Sequence, residues 1–290
     1  MSVLLAIFAH PDDESFGIGG TLARYASRSV SVHYLCGTRG ESGTVDPEFM
    51  QGYSDVSDLR SAELECASRE LGLAGVHYLG YRDSGMPGSP DNRHPNSLFS
   101  ASIDDVAQRI IQAVDRLQPD VVITHDKFGG YGHPDHIKLY HGTIRAYEMR
   151  YGVALGDPPG GAPEPKSASQ AFAERPPRLY VTAFPKNLLK FGVKVLPLFG
   201  QNPRRFGRNQ DIDLVEMSTW VVPVTARIDV GEYAAAKERA SACHLSQRPL
   251  TTQSNPVIRL IFRRSNQVEA FSRLYPPVAP GEKVERELLG

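Results

Sequence analysis

The sequence has little cysteine, almost no net charge and no long apolar run. Its 290 residues include three cysteines, Cys36, Cys66 and Cys243, which are widely spaced and form no CxxC pair. This pattern argues against a cysteine-ligated zinc site and is typical of proteins from a reducing cytoplasm. The 32 basic and 33 acidic residues give a net charge of −1, so no global basic field favours nucleic acid or a membrane as a partner.

No apolar stretch approaches the roughly 20 residues of a membrane helix. The first apolar run, residues 3–9, has no basic segment before it and meets His10 too early for a signal peptide. We therefore expect a cytoplasmic protein without a membrane anchor. The sequence leaves open whether the chain forms a homo-oligomer.

Apolar runs alternate with helical patterns through the first half of the chain. Strands are predicted at residues 3–9, 31–36, 76–79 and 121–124, and helices at 17–28, 58–71 and 103–117. Such alternation indicates βαβ units with right-handed crossovers. The predicted fold is therefore α/β, a Rossmann-like and mostly parallel sheet with helices on both faces.

The second half of the chain is less regular. Residues 154–178 are rich in proline and glycine and are predicted to form a flexible lid. Strands are expected at 179–184 and 220–230 and a helix at 233–243, whereas 191–208 carries no clear pattern. We predict one domain spanning 1–290, with a catalytic core in 1–150 and an elaborated C-terminal part in 151–290.

The most informative motif is HPDDE at residues 10–14, directly after the first apolar run. A run without charge that ends at a proline predicts a buried parallel strand. Ligands bind at the carboxyl ends of the strands in open α/β sheets. The motif places one imidazole and three carboxylates at such an end, a density that suits a metal site with its own general base.

A second motif, GGYGHPDH at residues 129–136, follows the predicted strand at 121–124. Pro134 suits the first turn of a helix, so His133 should lie near the N-cap and His136 one turn further on. In the commonest doubly wound order, the first and fourth strands are neighbours. Topology therefore predicts that the two motifs face each other across one crevice.

Two imidazoles and one carboxylate with an open position suit catalytic Zn²⁺, and the same donors can hold Fe²⁺. An extra carboxylate beside the ligands is what a hydrolase needs to deprotonate water. This favours a metal-dependent hydrolase over a non-haem Fe(II) redox enzyme. A non-catalytic sugar- or nucleotide-binding protein is a third hypothesis, although GIGG at 17–20 lacks the full GxGxxG spacing. His125 also follows a strand, and a structural role is its simpler interpretation.

Both motifs resemble those of the LmbE-like (PIG-L) deacetylases, metal-dependent enzymes that remove N-acetyl groups from glucosamine-containing molecules. The resemblance covers residues 3–150 and includes Glu41, Arg60 and RDSGM at 82–86. These features are most similar to the mycothiol-pathway branch, which comprises a deacetylase and an amidase of mycothiol conjugates. After residue 150 the helix ending in HLSQ at 244–247 still matches. The resemblance implies a Rossmann-like sheet and usually zinc, with iron in some members.

The resemblance also implies the roles of the central residues. The metal would be bound by His10, Asp13 and His136. Asp12 would be the general base that activates the metal-bound water, and His133 would stabilise the oxyanion or protonate the leaving amine.

Further roles are implied for the residues around this centre. Tyr131 would polarise the amide carbonyl, and Asp135 would tune the neighbouring histidine. Glu41, Arg60 and Asp83 would hold the sugar or its aglycone, although an arginine–acid pair that ties loops together would have the same sequence. The predicted function is a zinc-dependent N-deacetylase or amidase of a glucosamine-containing small molecule.

Overall fold

The computed structural model describes residues 1–155, 175–184, 186–207, 209–247 and 267–289. One seven-stranded sheet runs through these residues, in the order β3-β2-β1-β4-β5-β7-β6. The strands are β1 Val3–Phe8, β2 Ser31–Cys36, β3 Gly75–Tyr78, β4 Val121–Thr124, β5 Arg178–Thr182, β6 Ala226–Asp229 and β7 Val268–Tyr275. The first five are parallel, which confirms the predicted Rossmann-like order.

Helices cover both faces of the sheet. They are α1 Asp13–Phe16, α2 Gly19–Ser27, α3 Val56–Leu71, α4 Ile103–Leu117, α5 Gly129–Gly132, α6 Pro134–Tyr151, α7 Lys186–Val195, α8 Leu214–Met217 and α9 Ala234–Cys243. Ser102 caps α4 by accepting a hydrogen bond from the backbone N–H of Asp105, and Asp55 caps α3 in the same way through Asp58. Within the described ranges, no helix is both long and apolar enough to cross a membrane.

Alternate side chains of β1 enter two separate cores. Leu4 and Phe8 pack with α2, α3 and α9 on one face, whereas Leu5 and Ile7 pack with α4 and α6 on the other. Because a strand alternates its side chains, a continuous apolar run such as β1 needs cover on both faces. The two cores hold β1 at the centre of the sheet, so the motif that follows it emerges at a rigid edge.

The C-terminal part differs most from the sequence prediction. Strand β7, which the sequence analysis missed, inserts between β5 and β6 and runs antiparallel to both. The strand predicted at 220–230 is limited to Ala226–Asp229. Helix α7 begins before the segment 191–208, to which no structure was assigned from the sequence, and extends into it. Most of the predicted lid, residues 156–174, lies outside the described residues.

The glycine run at 17–20 packs α2 against the C-terminal part. A Cβ on Gly20 would lie 2.7 Å from the Cβ of Val230. The carboxylate of Glu269 accepts hydrogen bonds from the backbone N–H groups of Gly20 and Thr21, at 3.0 and 2.7 Å. Lys237 Nζ donates to the same carboxylate at 2.7 Å. The anion position at the start of α2 is thus filled by the chain itself, which argues against the nucleotide-binding hypothesis.

A disulfide joins Cys66 on α3 to Cys243, the last residue of α9, whereas Cys36 is a buried free thiol. Two of the three cysteines therefore pair, which removes the cysteine argument for a cytoplasmic location. Their sequence separation of 177 residues hid the pairing, because only the packing of α9 on α3 brings them together.

Replacing Cys66 by serine should lower the free energy of unfolding by about 2–4 kcal/mol, since the crosslink closes a very long loop. Denaturant unfolding of the wild type with and without a reducing agent should show the same loss. The Cys66→Ser variant should not respond to the reductant, and Cys36→Ala, which keeps the disulfide, should respond like the wild type. A wild-type unfolding curve unchanged by the reductant would contradict a stabilising crosslink.

Candidate metal and catalytic site

The two motifs meet because β1 and β4 are neighbours. Their register pairs Leu4 with Val121 and Ile7 with Thr124, so both strands end at the same edge of the sheet. Residues 10–14 follow β1, and residues 129–136 form α5 and the start of α6 after β4. The predicted adjacency of the first and fourth strands is confirmed.

Three donor atoms at this edge form a compact triangle. His10 Nδ1 lies 3.1 Å from His136 Nε2, and Asp13 Oδ2 lies 3.4 Å from His136 Nε2 and 3.7 Å from His10 Nδ1. In tetrahedral zinc sites with bonds of about 2.0–2.1 Å, neighbouring donors are roughly 3.3 Å apart. Two imidazoles and one carboxylate at this spacing fit a single divalent cation.

Local hydrogen bonds orient the donors of this triangle. Asp13 Oδ2 accepts the backbone N–H of His10 at 2.9 Å, which folds the turn so that both residues point to the same place. His136 Nδ1 donates to the carbonyl oxygen of Gly129 at 3.1 Å. Nε2 of this buried ring is therefore left with its lone pair, as a metal ligand requires. Burial lowers the pKa of His136 well below its usual value, which also favours the neutral ring.

The second nitrogen of His10 faces carboxylates. His10 Nε2 lies 3.3 Å from Asp135 Oδ2 and 3.4 Å from Asp83 Oδ1. Burial alone would lower the pKa of His10, but the Asp83 and Asp135 carboxylates raise it well above its ordinary value. A carboxylate behind a histidine ligand fixes the ring and strengthens it as a donor.

Asp135 is fully buried and accepts hydrogen bonds from the backbone N–H and the hydroxyl of Ser84. Its own backbone N–H donates to His133 Nδ1 at 3.2 Å. The structure thus brings its carboxylate against His10. The same charge also acts on His133, whose pKa it raises against the larger effect of burial. The predicted influence of Asp135 on His133 therefore stays a prediction, and the contact with His10 adds to it.

Asp12 lies beside the metal-donor triangle and lines the same cavity. Its backbone has φ of 129°, a conformation that non-glycine residues keep only where the surroundings impose it. Asp12 Oδ2 accepts a hydrogen bond from Arg60 Nη2 at 2.9 Å. Burial raises the pKa of Asp12 to about 6, although Arg60 opposes this. Its position and charge suit a group that exchanges a proton with water.

Arg60 is buried, with 3% of its surface exposed. Besides Asp12, it donates to the carbonyl oxygens of Pro11 and Gly40. These contacts agree with the loop-tying alternative. Because Arg60 also lines the cavity, its role in substrate binding stays a prediction.

The side chain of Glu41 contacts the backbone of Asp83. Glu41 Oε2 accepts the backbone N–H of Asp83 at 2.9 Å, and Asp83 Oδ1 accepts that of Gly85 at 2.8 Å. Asp83 lines the cavity, whereas Glu41 links two loops beside it. Of the three residues predicted to bind substrate, Arg60 and Asp83 line the cavity.

His133 and Tyr131 line the cavity beside the triangle. His133 is the N-cap of α6, and burial followed by the nearby His10 lowers its pKa to about 4. The Tyr131 ring lies 5.1 Å from the His136 ring, and burial raises its pKa well above the usual value. Both side chains thus face the metal donors as neutral groups able to donate hydrogen bonds.

His125 stacks on His136 with the ring centroids 3.8 Å apart. Its Nε2 accepts the backbone N–H of Ala9 at 3.1 Å and lies 3.6 Å from Asp13 Oδ2. An imidazole nitrogen occupied in this way supports the turn after β1. This contact is consistent with the structural interpretation of His125.

The cavity above the triangle has a volume of about 750 Å³, within the range of small-molecule sites. One wall is formed by the sequence-predicted residues, and the other by C-terminal residues that the sequence analysis did not assign. The latter include Phe184, Phe206, Asn209, Ile212, Lys237 and Gln247. The first four lie between β5 and β6, whereas Lys237 lies on α9 and Gln247 shortly after it. No spacing in the sequence links these residues to the two motifs.

Comparisons with known proteins identify relatives of this chain. The family model for PIG-L, GlcNAc-PI de-N-acetylase, matches residues 5–147. The 1D-myo-inositol 2-acetamido-2-deoxy-alpha-D-glucopyranoside deacetylase of Rhodococcus erythropolis is 34% identical over 99% of this chain and 96% of its own length. The enzyme of the same name from Salinispora arenicola is 34% identical over 85% of this chain and 76% of its own.

A solved structure supports the fold. The N,N'-diacetylchitobiose deacetylase of Pyrococcus horikoshii superposes with a TM-score of 0.58, at 20% identity, over 97% of this chain and 87% of that protein. The named relatives are deacetylases of GlcNAc-containing small molecules. As the two sequence motifs predict, the chain belongs to the PIG-L (LmbE-like) family.

Proposed function

We propose that the protein is a metal-dependent N-deacetylase that hydrolyses the acetamide of an N-acetylglucosaminyl inositol. The observation that carries the proposal is the triangle of His10, Asp13 and His136 with the separate carboxylate of Asp12 in one cavity. The substrate class follows from the relatives that are 34% identical to this chain over most of its length.

Zinc is the metal we propose, held by the three donors of the triangle, and the same donors can also hold Fe²⁺. When bound, such an ion polarises a carbonyl and lowers the pKa of water to about 7. The protein's own side chains carry out the remaining steps. Asp12 stands outside the triangle, where it can remain a base instead of a ligand.

In the proposed reaction, a water oxygen attacks the acetamide carbonyl carbon while Asp12 accepts the water proton. The C–N bond then breaks, the proton passes from Asp12 to the leaving amine, and acetate and the free amine are released. Tyr131 donates a hydrogen bond to the carbonyl oxygen, where negative charge develops.

His133 has a further part in this scheme. Its Nδ1 accepts the backbone N–H of Asp135, so the neutral ring carries its hydrogen on Nε2. That hydrogen can be donated to the oxyanion. Of the two roles that the family resemblance implies, we propose oxyanion stabilisation, because a ring whose pKa is lowered to about 4 is neutral and holds no extra proton for the amine.

The metal-loaded protein should release acetate from N-acetylglucosaminyl inositol faster than from N-acetylglucosamine, because the cavity extends well beyond one sugar. Acetate and free amine should appear in equal amounts. A chelator should abolish the reaction, and added Zn²⁺ should restore it. A metal-loaded protein that releases acetate from no amino-sugar acetamide would contradict the proposed function.

A further inference from the structure

Glu14 and His244 form a buried pair that the proposed reaction does not use. Glu14 is the last residue of the first motif, and His244 follows α9 at the far end of the chain. Building on the proposed function, we propose that this pair positions Asp12 for proton transfer. Both are positioning residues, because they reach the reacting atoms only through Asp12.

Glu14 uses its two carboxylate oxygens in different directions. Oε2 accepts the backbone N–H of Asp12 at 2.9 Å, and Oε1 accepts from His244 Nε2 at 2.6 Å. The side chains of both Glu14 and His244 are fully buried. A buried carboxylate without partners is costly. Oε1, the oxygen that Asp12 does not use, is supported by His244 and also by the hydroxyl of Ser15, which donates to it.

The bond from Glu14 acts where Asp12 most needs support. The φ of 129° at Asp12 is a conformation that the chain must impose from outside. Glu14 holds the backbone N–H of Asp12, while Arg60 holds its carboxylate at 2.9 Å. These two contacts define where the second oxygen of Asp12 points.

The anchor comes from the C-terminal part of the chain. His244 directly follows Cys243, whose disulfide fixes the end of α9 to α3. Among the described residues, His244 Nδ1 has no hydrogen-bond partner, so the contact with Glu14 determines the orientation of the ring. The catalytic edge, built from the first half of the sequence, thereby depends on a residue more than 200 positions away.

The same loop offers a matched control. Ser246 donates to Glu63 on α3 through its backbone N–H and its hydroxyl, both at 2.8 Å and both buried. This pair resembles the Glu14–His244 pair, because it is also buried and also joins the segment after α9 to the first half of the chain. Neither Ser246 nor Glu63 lines the cavity, so its loss should affect stability alone.

The test compares Glu14→Ala, Glu14→Gln, His244→Ala and Ser246→Ala in the metal-loaded protein. Glu14→Ala and His244→Ala should lower kcat about 10–100-fold, since small misplacements of a reacting group have effects of this size. KM should change less than about twofold, and one metal per chain should remain, because the three donors are untouched. Glu14→Gln should recover most of the rate, since its amide oxygen still accepts from Asp12 and its NH₂ group can donate to His244. Ser246→Ala should keep the wild-type kcat.

Several outcomes would overturn the inference. An unchanged kcat per bound metal in Glu14→Ala and His244→Ala would make the pair a structural element only. Metal loss in Glu14→Ala would indicate that Glu14 positions the metal ligand Asp13 instead of Asp12. If Glu14→Ala does not fold, His244→Ala decides, and failure of both to fold would also make the pair structural. An inactive wild type would instead refute the proposed function.

Discussion

His136→Ala should lose the bound metal and lower acetate release by at least about 10³-fold. The variant removes one of three donors, and the metal contributes several kcal/mol to stabilising charge in the transition state. The residual pair of His10 Nδ1 and Asp13 Oδ2, 3.7 Å apart, leaves an incomplete site. Metal content by elemental analysis, measured beside kcat, is the test.

His141→Ala is the matched control for this variant, because His141 lies on the same helix but is exposed. It should keep the metal and the rate. Full metal content in His136→Ala would contradict the donor triangle. In that case the metal would be held by another group of neighbouring donors, namely His10, Asp83, His133 and Asp135.

The meeting of the two motifs at one edge of the sheet could be predicted because its information is local. An uncharged run forms β1, a proline begins α6, and the order of parallel strands brings the two motifs together. These signals lie within a few residues of the side chains that they position. The same reasoning failed for β7, which enters the sheet antiparallel between β5 and β6.

The residue types alone, without their contacts, could not distinguish a residue that supports other side chains of the site from one that binds substrate. Arg60 was predicted either to hold the sugar or its aglycone or to tie loops together. Its guanidinium donates to Asp12 and two backbone carbonyls and also lines the cavity, so its role with substrate stays a prediction. Asp135 was predicted to tune His133, and the structure adds a contact of its carboxylate with His10. Such assignments depend on distances of a few ångströms between loops, and sequence spacing does not encode these distances.

The C-terminal part also changes how the family motif is understood. The third acid of HPDDE was noted in the sequence without a role, and the structure joins it to His244. Glu269 similarly accepts hydrogen bonds at the start of α2. Both contacts bind the C-terminal elements to the motif-bearing half, so the described parts of 151–290 contribute to the geometry of the predicted catalytic core.

Asp12→Asn should keep the metal while slowing turnover by about 10²–10⁴-fold, the usual contribution of a general base. The amide oxygen can still accept from Arg60, and the shape of the side chain is retained, so the backbone and the donor triangle should stay in place. Asp13→Ala should instead lose metal and activity together, because Asp13 Oδ2 lies within 3.4 Å of His136 Nε2.

The comparison separates two neighbours of identical chemistry. Asp12 and Asp13 differ in direction because the positive φ at Asp12 turns the chain between them, so one carboxylate meets Arg60 and the other meets the two histidines. Metal content and kcat should therefore both fall in Asp13→Ala, whereas in Asp12→Asn only kcat should fall. Metal loss in Asp12→Asn, with full metal content in Asp13→Ala, would exchange the two roles. It would also remove the physical basis for Glu14 and His244 as supports of the base, since both act on the backbone of Asp12.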